Sequence, residues 1–202
     1  MSSTGIDKVL ILNENKVKSK LLVTLVVQGL KHATSVNESG LDDKGLKLVR
    51  EGDYGLLIIV SDIKNEMALK AAKLASIHPT ASIMHIADET DFSSNEDKEA
   101  RERLLDIGAI LLVKPLSKNS FLVAVNSADM AHIRLCKLRK KVEEEKVLAR
   151  SKLILMRTLS LSEDEAHKYI EKEAMNSGQK KIDVAYEILR TYDNQQEGSN
   201  EI

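Results

Sequence analysis

The 202-residue chain is poor in the residues that break helices, form disulfides or fill β-sandwich cores. It contains no tryptophan, two phenylalanines, two prolines and nine glycines. This composition favours helices and argues against an all-β fold. Its single cysteine, Cys136, excludes an intramolecular disulfide framework and a zinc site built from several cysteines. The longest apolar run, residues 56–60, is far shorter than the ~20 residues of a membrane span, so we expect no membrane partner.

Charge is distributed unevenly along the chain, which the net charge of −1 hides. Residues 132–160 carry nine basic and three acidic side chains, whereas residues 182–202 carry one basic and five acidic side chains. A near-neutral protein with one positive segment can still present an anion-binding face. No basic-then-apolar leader precedes Asp7, so we expect a cytoplasmic protein.

The first 115 residues alternate short apolar runs with longer helical patterns. The predicted strands lie at 8–12, 32–36, 56–60, 82–87 and 109–113, and the predicted helices between them at 14–29, 39–51, 64–77 and 95–107. Such alternation is typical of a doubly wound α/β domain. We therefore expect a flavodoxin-like, five-stranded parallel sheet within residues 1–120.

Several residues make this domain resemble the receiver domain of bacterial response regulators. Asn13 and Glu14 follow the first strand, and Lys114, followed by proline, ends the fifth. Receivers bind Mg²⁺ with an acidic pair and are phosphorylated on an aspartate at the end of the third strand. Here Asn13 and Glu14 supply one carboxylate, Val60 stands at the phosphoacceptor position, and Ile86 stands where the family has serine or threonine. The resemblance therefore implies a receiver pocket that has lost most of its chemistry.

A valine can neither ligate Mg²⁺ nor accept a phosphoryl group, so a degenerate receiver is expected. Such a domain would act as a dimerising or ligand-sensing scaffold, with no catalytic activity, cofactor or metal ion. Asp62 lies two residues beyond Val60 and is the alternative phosphoacceptor, which would make the protein a phosphorylation-switched regulator in two-component signalling. The five histidines show no metal-ligand spacing, and His85, inside a predicted strand, is expected to be a hydrogen-bonded core residue.

Residues 118–157 contain neither proline nor glycine and predict one long helix. An apolar four-three spacing runs through its centre at Ala131, Leu135, Leu138 and Val142. We expect these four residues, within a coiled-coil linker at 121–147, to pair with a second copy of the chain. The alternative is that this is the last helix of the α/β domain with a solvated, charged overhang.

Two further helices with clear boundary signals follow the long helix. Ser162 and Glu165 have the spacing of a capping box, and Gly178 is placed to end the first of these helices. The second helix is predicted at 180–192, and residues 195–202 are expected to form a disordered tail.

Four ordered blocks at 151–157, 161–166, 173–177 and 182–185 resemble the ANTAR domain, and the resemblance extends over residues 147–189. Two positions depart from the usual family pattern, since Ser151 replaces alanine and Leu153 replaces glycine. The resemblance implies an RNA-binding domain at 148–194 of a transcription antitermination regulator. It implies that the partner is structured leader RNA, a pair of short hairpins with hexanucleotide loops, whose binding prevents a competing terminator stem.

Cationic side chains are expected to form the RNA-binding surface, because phosphate neutralisation supplies most non-specific affinity. The candidates are Lys152, Arg157, His167, Lys168, Lys172, Lys180 and Lys181. Tyr169 and Tyr186 lie near apolar stripes and are expected to pack in the core. The alternative is that the basic residues are only solvated helix faces.

Under that alternative the protein is an interaction adaptor whose coiled coil docks a partner and whose C-terminal helices bind no nucleic acid. DNA binding is disfavoured because no helix-turn-helix spacing with a glycine turn is present. An upstream sensor protein or a small molecule is the expected regulatory input.

Overall fold

The computed structural model describes residues 5–15, 19–78, 81–88 and 94–197. The chain divides into two compact units, Met1–Lys137 and Leu138–Ile202. The strands are β1 (Lys8–Asn13), β2 (Ser35–Gly40), β3 (Leu56–Val60), β4 (Ser82–Ala87) and β5 (Ile110–Val113). The helices are α1 (Lys20–Gly29), α2 (Asp43–Glu51), α3 (Glu66–Ser76), α4 (Asn95–Asp106), α5 (Lys118–Thr158), α6 (Glu163–Ser177) and α7 (Lys181–Glu197).

The first unit is built on a five-stranded sheet in which every neighbouring pair is parallel. The strand order is β2-β1-β3-β4-β5, which is the order of flavodoxin-like doubly wound domains, receivers included. The predicted fold class is therefore confirmed. In such sheets, ligands bind outside the carboxyl ends of the strands, where the strand order reverses.

Both faces of the sheet are covered by helices, because the central strands are apolar on both sides. Leu57 and Ile59 belong to the core under α2, α3 and α4. Ile58 and Met84 belong to the core on the opposite face, under α1 and the first part of α5. Alternate residues of one strand thus enter different cores, as the period of two requires.

The second strand and second helix lie further along the chain than predicted. The prediction placed the strand at 32–36, whereas β2 spans Ser35–Gly40 and is mostly polar. It is an edge strand that pairs only with β1, so it lacks the apolar run that marks a buried strand. The next helix begins after Asp42, whose carboxylate accepts the Gly45 N–H, rather than at Ser39.

The second unit consists of the last part of α5 together with α6 and α7. Its core contains Leu155 from α5, Ala166 and Ile170 from α6, and Val184 and Ile188 from α7. The predicted capping box at Ser162 and Glu165 is confirmed, and so is the left-handed cap at Gly178.

The last helix, α7, continues to Glu197, three residues into the segment predicted as a disordered tail. Residues 198–202 lie outside the described part of the chain. Over the described ranges, no helix has the length and apolar character needed to cross a bilayer.

Candidate nucleic-acid interface

The end of α5 supplies the first predicted RNA contacts. Ser151 and Leu155 face the core, and this places the side chain of Lys152 at its edge, where it is half-buried. Its Nζ donates to Glu163 Oε1 at 2.5 Å. Arg157, further along α5, is exposed.

One side of α6 carries ionisable residues four positions apart, at Glu163, His167 and Glu171. His167 Nε2 lies 3.2 Å from Glu171 Oε1, and Lys181, the first residue of α7, also donates to Glu171. With Lys152 at its other end, this gives a row in which basic and acidic side chains of three helices alternate. We call these five residues the charged row.

The charged row unites three of the seven predicted RNA-binding residues, namely Lys152, His167 and Lys181. Lys168 and Lys172 are exposed one position further round α6, and Lys180 is exposed immediately before α7. The other four predicted residues take no part in the ion pairs of the charged row; these are Arg157, Lys168, Lys172 and Lys180.

The two glutamates of the row are held in their ionised form by the cations. The hydrogen bond and charge of Lys152 lower the pKa of Glu163 below its usual value. Lys181 does the same to the pKa of Glu171, and His167 adds a smaller effect. The carboxylates of Glu163 and Glu171 therefore occupy the positions beside Lys152 and Lys181 in this structure. Sequence reasoning did not find these partners, because they come from helices other than the ones that carry the lysines.

Two aromatic residues contradict their predicted burial. Tyr169 on α6 is 40% exposed and Tyr186 on α7 is 44% exposed. Both flank the apolar stripes of their helices, and the core closes over the small and aliphatic residues Ala166, Ile170 and Val184. The prediction that these tyrosines pack in the core is wrong, and both rings are accessible to a ligand.

The predicted coiled-coil residues are exposed on α5. Leu138 is 59% exposed, and Ala131, Leu135 and Val142 also face solvent. They retain an apolar stripe that nothing in this single chain covers among the described residues. The stripe is consistent with pairing between helices, which stays a prediction.

The predicted receiver pocket is partly assembled at the carboxyl edge of the sheet. The strand register places Val60 beside both Asn13 and Ile86. All three residues line one cavity together with Lys114. Lys114 Nζ also donates to Asp88 Oδ1 at 2.7 Å. The cavity therefore has one lysine of the receiver pattern and apolar side chains at the two positions that the family uses for chemistry.

Glu14 is turned towards the loop that follows β3. Its two oxygens accept the Asp62 N–H at 3.0 Å and the Asn65 side-chain amide at 2.7 Å. Asp62 is itself exposed, and its Oδ1 accepts the Lys64 N–H at 2.8 Å. Neither carboxylate is among the described residues that line the cavity. In the described ranges, no group of three or more histidine, cysteine or acidic residues is arranged to hold a metal ion.

His85 is fully buried in β4, as expected of a core histidine. Its Nε2 lies 3.1 Å from the Ser61 hydroxyl, whereas its Nδ1 has no hydrogen-bond partner among the described residues. The prediction of a hydrogen-bonded ring is therefore met at one nitrogen only. Burial is the main cause that lowers the pKa of His85, which favours the neutral form of the ring.

Comparison with protein families bears directly on the C-terminal unit. Residues 137–189 match the family model of the ANTAR domain. The chain contains an ANTAR domain. The match begins inside α5, so Leu138 and Val142 of the predicted coiled coil lie within the matched region.

The ANTAR domain tolerates both departures from the family pattern. Ser151 is completely buried, and its hydroxyl donates to the Leu148 carbonyl of its own helix at 2.9 Å, which satisfies the added polar group. Leu153 is exposed, so its side chain takes no space in the core.

Solved structures similar to the chain include several regulators. A two component transcriptional regulator AraC from Clostridium phytofermentans has a TM-score of 0.46 and 10% identity, with 64% of this chain and 97% of that chain covered. A response regulator from Colwellia psychrerythraea has a TM-score of 0.43 and 16% identity, with coverages of 61% and 96%.

A response regulator from Burkholderia pseudomallei with a phosphorylated aspartic acid, calcium ion and citrate has a TM-score of 0.41 and 16% identity. Its coverages are 87% of this chain and 95% of that chain. At these values the fold assignment rests on the observed strand order alone. The comparison with curated proteins gives no significant match.

Proposed function

We propose that the protein is an RNA-binding transcription antitermination regulator that recognises structured leader RNA through its ANTAR domain. The observation that carries the proposal is the charged row. Lys152 from α5, His167 from α6 and Lys181 from α7 lie along one side of α6 within the ANTAR domain. Cations brought together from three helices form a surface only when the domain is folded, as a specific binding site requires.

Phosphate groups of the RNA would replace Glu163 and Glu171 as partners of the lysines. Glu163 is exposed and Glu171 is partly exposed, so water reaches both carboxylates and screens these ion pairs. Binding then exchanges one anionic partner for another and releases counterions from the RNA, which makes the affinity depend on salt.

Recognition of loop bases would add to these phosphate contacts. Sequence-specific RNA recognition uses unstacked bases that stack on aromatic rings or guanidinium planes. The exposed rings of Tyr169 and Tyr186 and the exposed guanidinium of Arg157 provide such planes in the ANTAR domain.

The RNA that we propose is a pair of short hairpins with hexanucleotide loops, whose binding prevents a terminator stem from forming. A homodimer that pairs through Ala131, Leu135, Leu138 and Val142 would present two ANTAR domains, one for each hairpin. Joining the two contacts in one molecule raises the overall affinity through effective concentration. We expect binding rather than catalysis, in the cytoplasm where transcripts emerge, under the control of a sensor protein or small molecule.

Two charge-removing substitutions test the proposed surface. In the full chain, Lys152→Ala and Arg157→Ala should each weaken binding to a two-hairpin RNA while the helical circular dichroism stays unchanged. Lys47→Ala serves as the control, since Lys47 is an exposed lysine of α2 in the other unit. Unchanged affinity in both variants would show that the RNA does not use this surface.

The exposed stripe of α5 also favours a second candidate, an adaptor that docks a partner protein and binds no RNA. The two candidates differ in their response to salt and to RNA structure. An adaptor would bind neither a two-hairpin RNA nor a single stem in a saturable, salt-dependent manner.

A further inference from the structure

One cavity of the first unit lies at the carboxyl edge of its sheet, between α1 and the start of α5. Its volume is about 530 Å³, within the range of pockets that hold small organic ligands. It lies outside the strand ends, where doubly wound folds bind their ligands. All described lining residues belong to the first unit, and none of them is among the residues of the proposed RNA surface.

The walls of the cavity are apolar at depth. Val60 and Ile86, neighbours in the sheet, form part of the floor, and Phe121 of α5 is almost fully buried beside them. Leu22 and Leu25 of α1 form the facing wall. All five side chains belong to or pack against one hydrophobic core. A ligand that fills this cavity must therefore have an apolar body.

The mouth of the cavity is polar and positively charged. Lys114 and Lys118 both line it, and no acidic residue is among the described lining residues. The mouth also includes Ser117, whose hydroxyl accepts the Ser120 N–H at the start of α5. The first turn of a helix adds positive potential at this point. Asp88 pairs with Lys114 from outside the described lining residues, so Lys118 is the lining lysine that is not engaged in that pair.

We propose that this cavity binds a small organic carboxylate with an apolar body. The carboxylate would lie at the mouth, between Lys118 and Lys114, and the body would lie against Val60, Ile86 and Phe121. A free phosphate would leave the apolar walls unfilled, and a cation would be repelled by both lysines. The proposal concerns the first unit alone, so it stands independently of RNA binding.

Octanoate is the probe, because it combines one carboxylate with an unbranched apolar chain. In the full-length protein, titration followed by calorimetry and amide chemical shifts should show saturable binding, with the largest shifts at residues 114–121. Acetate has the charge without the body, and octanol has the body without the charge. Each should bind at least about tenfold more weakly than octanoate, since each lacks one of the two contributions.

Two variants and a matched control locate the site. Leu25→Trp fills the apolar part of the cavity and should abolish octanoate binding. Lys118→Gln removes one charge-assisted contact and should weaken binding about tenfold, whereas Lys31→Gln, an exposed lysine away from the cavity, should leave it unchanged.

If Leu25→Trp fails to fold, the comparison of Lys118→Gln with Lys31→Gln decides alone. The proposal is overturned if octanoate does not bind the wild-type protein, or if octanol binds as tightly as octanoate. It is equally overturned if Lys118→Gln binds like Lys31→Gln, or if a folded Leu25→Trp retains the binding.

Discussion

Under the proposed function, Glu171 would compete with RNA phosphates for Lys181 and His167, so removal of its charge should strengthen RNA binding. The substitution Glu171→Gln keeps the size of the side chain and removes the anion to which both cations are paired. Lys181 then becomes available to a phosphate without first losing a partner. The variant should bind RNA more tightly than the wild type at low salt.

The size of the effect follows from counterion release. A phosphate that binds Lys181 in the wild type leaves the displaced Glu171 carboxylate beside it, so Glu171→Gln adds one net neutralised phosphate. This steepens the plot of log affinity against log salt by about 0.7 for single-stranded nucleic acid. When the salt concentration rises fourfold, a slope change of that size makes the affinity of the variant fall about 2.6-fold more than that of the wild type. The affinities of variant and wild type should therefore converge as the salt concentration rises.

The assay is a titration of labelled two-hairpin RNA with the full chain over a series of potassium chloride concentrations. Glu173→Gln is the matched control, since it makes the same charge change two positions further on, about 200° around the same helix. The double variant Glu171→Gln, Lys181→Gln should lose the gain. Parallel salt plots for Glu171→Gln and the wild type would refute the reasoning, as would an equal change in Glu173→Gln.

Three other perturbations give separate tests. Burial lowers the pKa of His85 below 6.5, so the unfolded chain takes up a proton that the folded chain does not, and stability should fall as the pH drops below about 6.5. For one proton, the loss of unfolding free energy is at most about 1.4 kcal/mol per pH unit. The unfolding free energy of His85→Gln should therefore depend less on pH than that of the wild type, and an equal dependence would contradict this. Leu138→Gln should raise the dissociation constant of the dimer about 30-fold, because each protomer loses about 1 kcal/mol of apolar burial. Analytical ultracentrifugation measures this constant, and Val27→Gln on α1 should leave it unchanged. A small phosphodonor with Mg²⁺ should leave no stable adduct in the mass spectrum, and an adduct abolished by Asp62→Asn would contradict the degenerate receiver.

The parts of the fold that depend on local sequence were predicted closely. The continuous apolar run of β3 gave the observed boundaries, because a strand buried on both faces has no polar position to blur its ends. The boundaries of β4 were also predicted correctly, although His85 interrupts its apolar residues. The caps of α6 at Ser162 and Gly178 were predicted for a similar reason, since a cap is formed by residues close in sequence. The polar edge strand β2 gave a weaker signal, and its predicted position was wrong by several residues.

The parts of the candidate site that depend on packing were not predictable. The sequence indicated the lysines of the charged row, but their partners Glu163 and Glu171 depend on how α6 packs against α5 and α7. The exposure of Tyr169 and Tyr186 depends on where the core ends at the flank of each stripe, which hydrophobic periodicity does not resolve.

The most direct test of RNA recognition is a comparison of two RNAs of equal length, one with two hairpins and one with a single stem. The full chain should prefer the two-hairpin RNA, and the logarithm of its affinity should fall linearly with log salt, because binding neutralises several phosphates. Equal affinity for both RNAs, or binding that salt does not weaken, would contradict the claim that the ANTAR domain of this protein recognises paired hairpins through its cations.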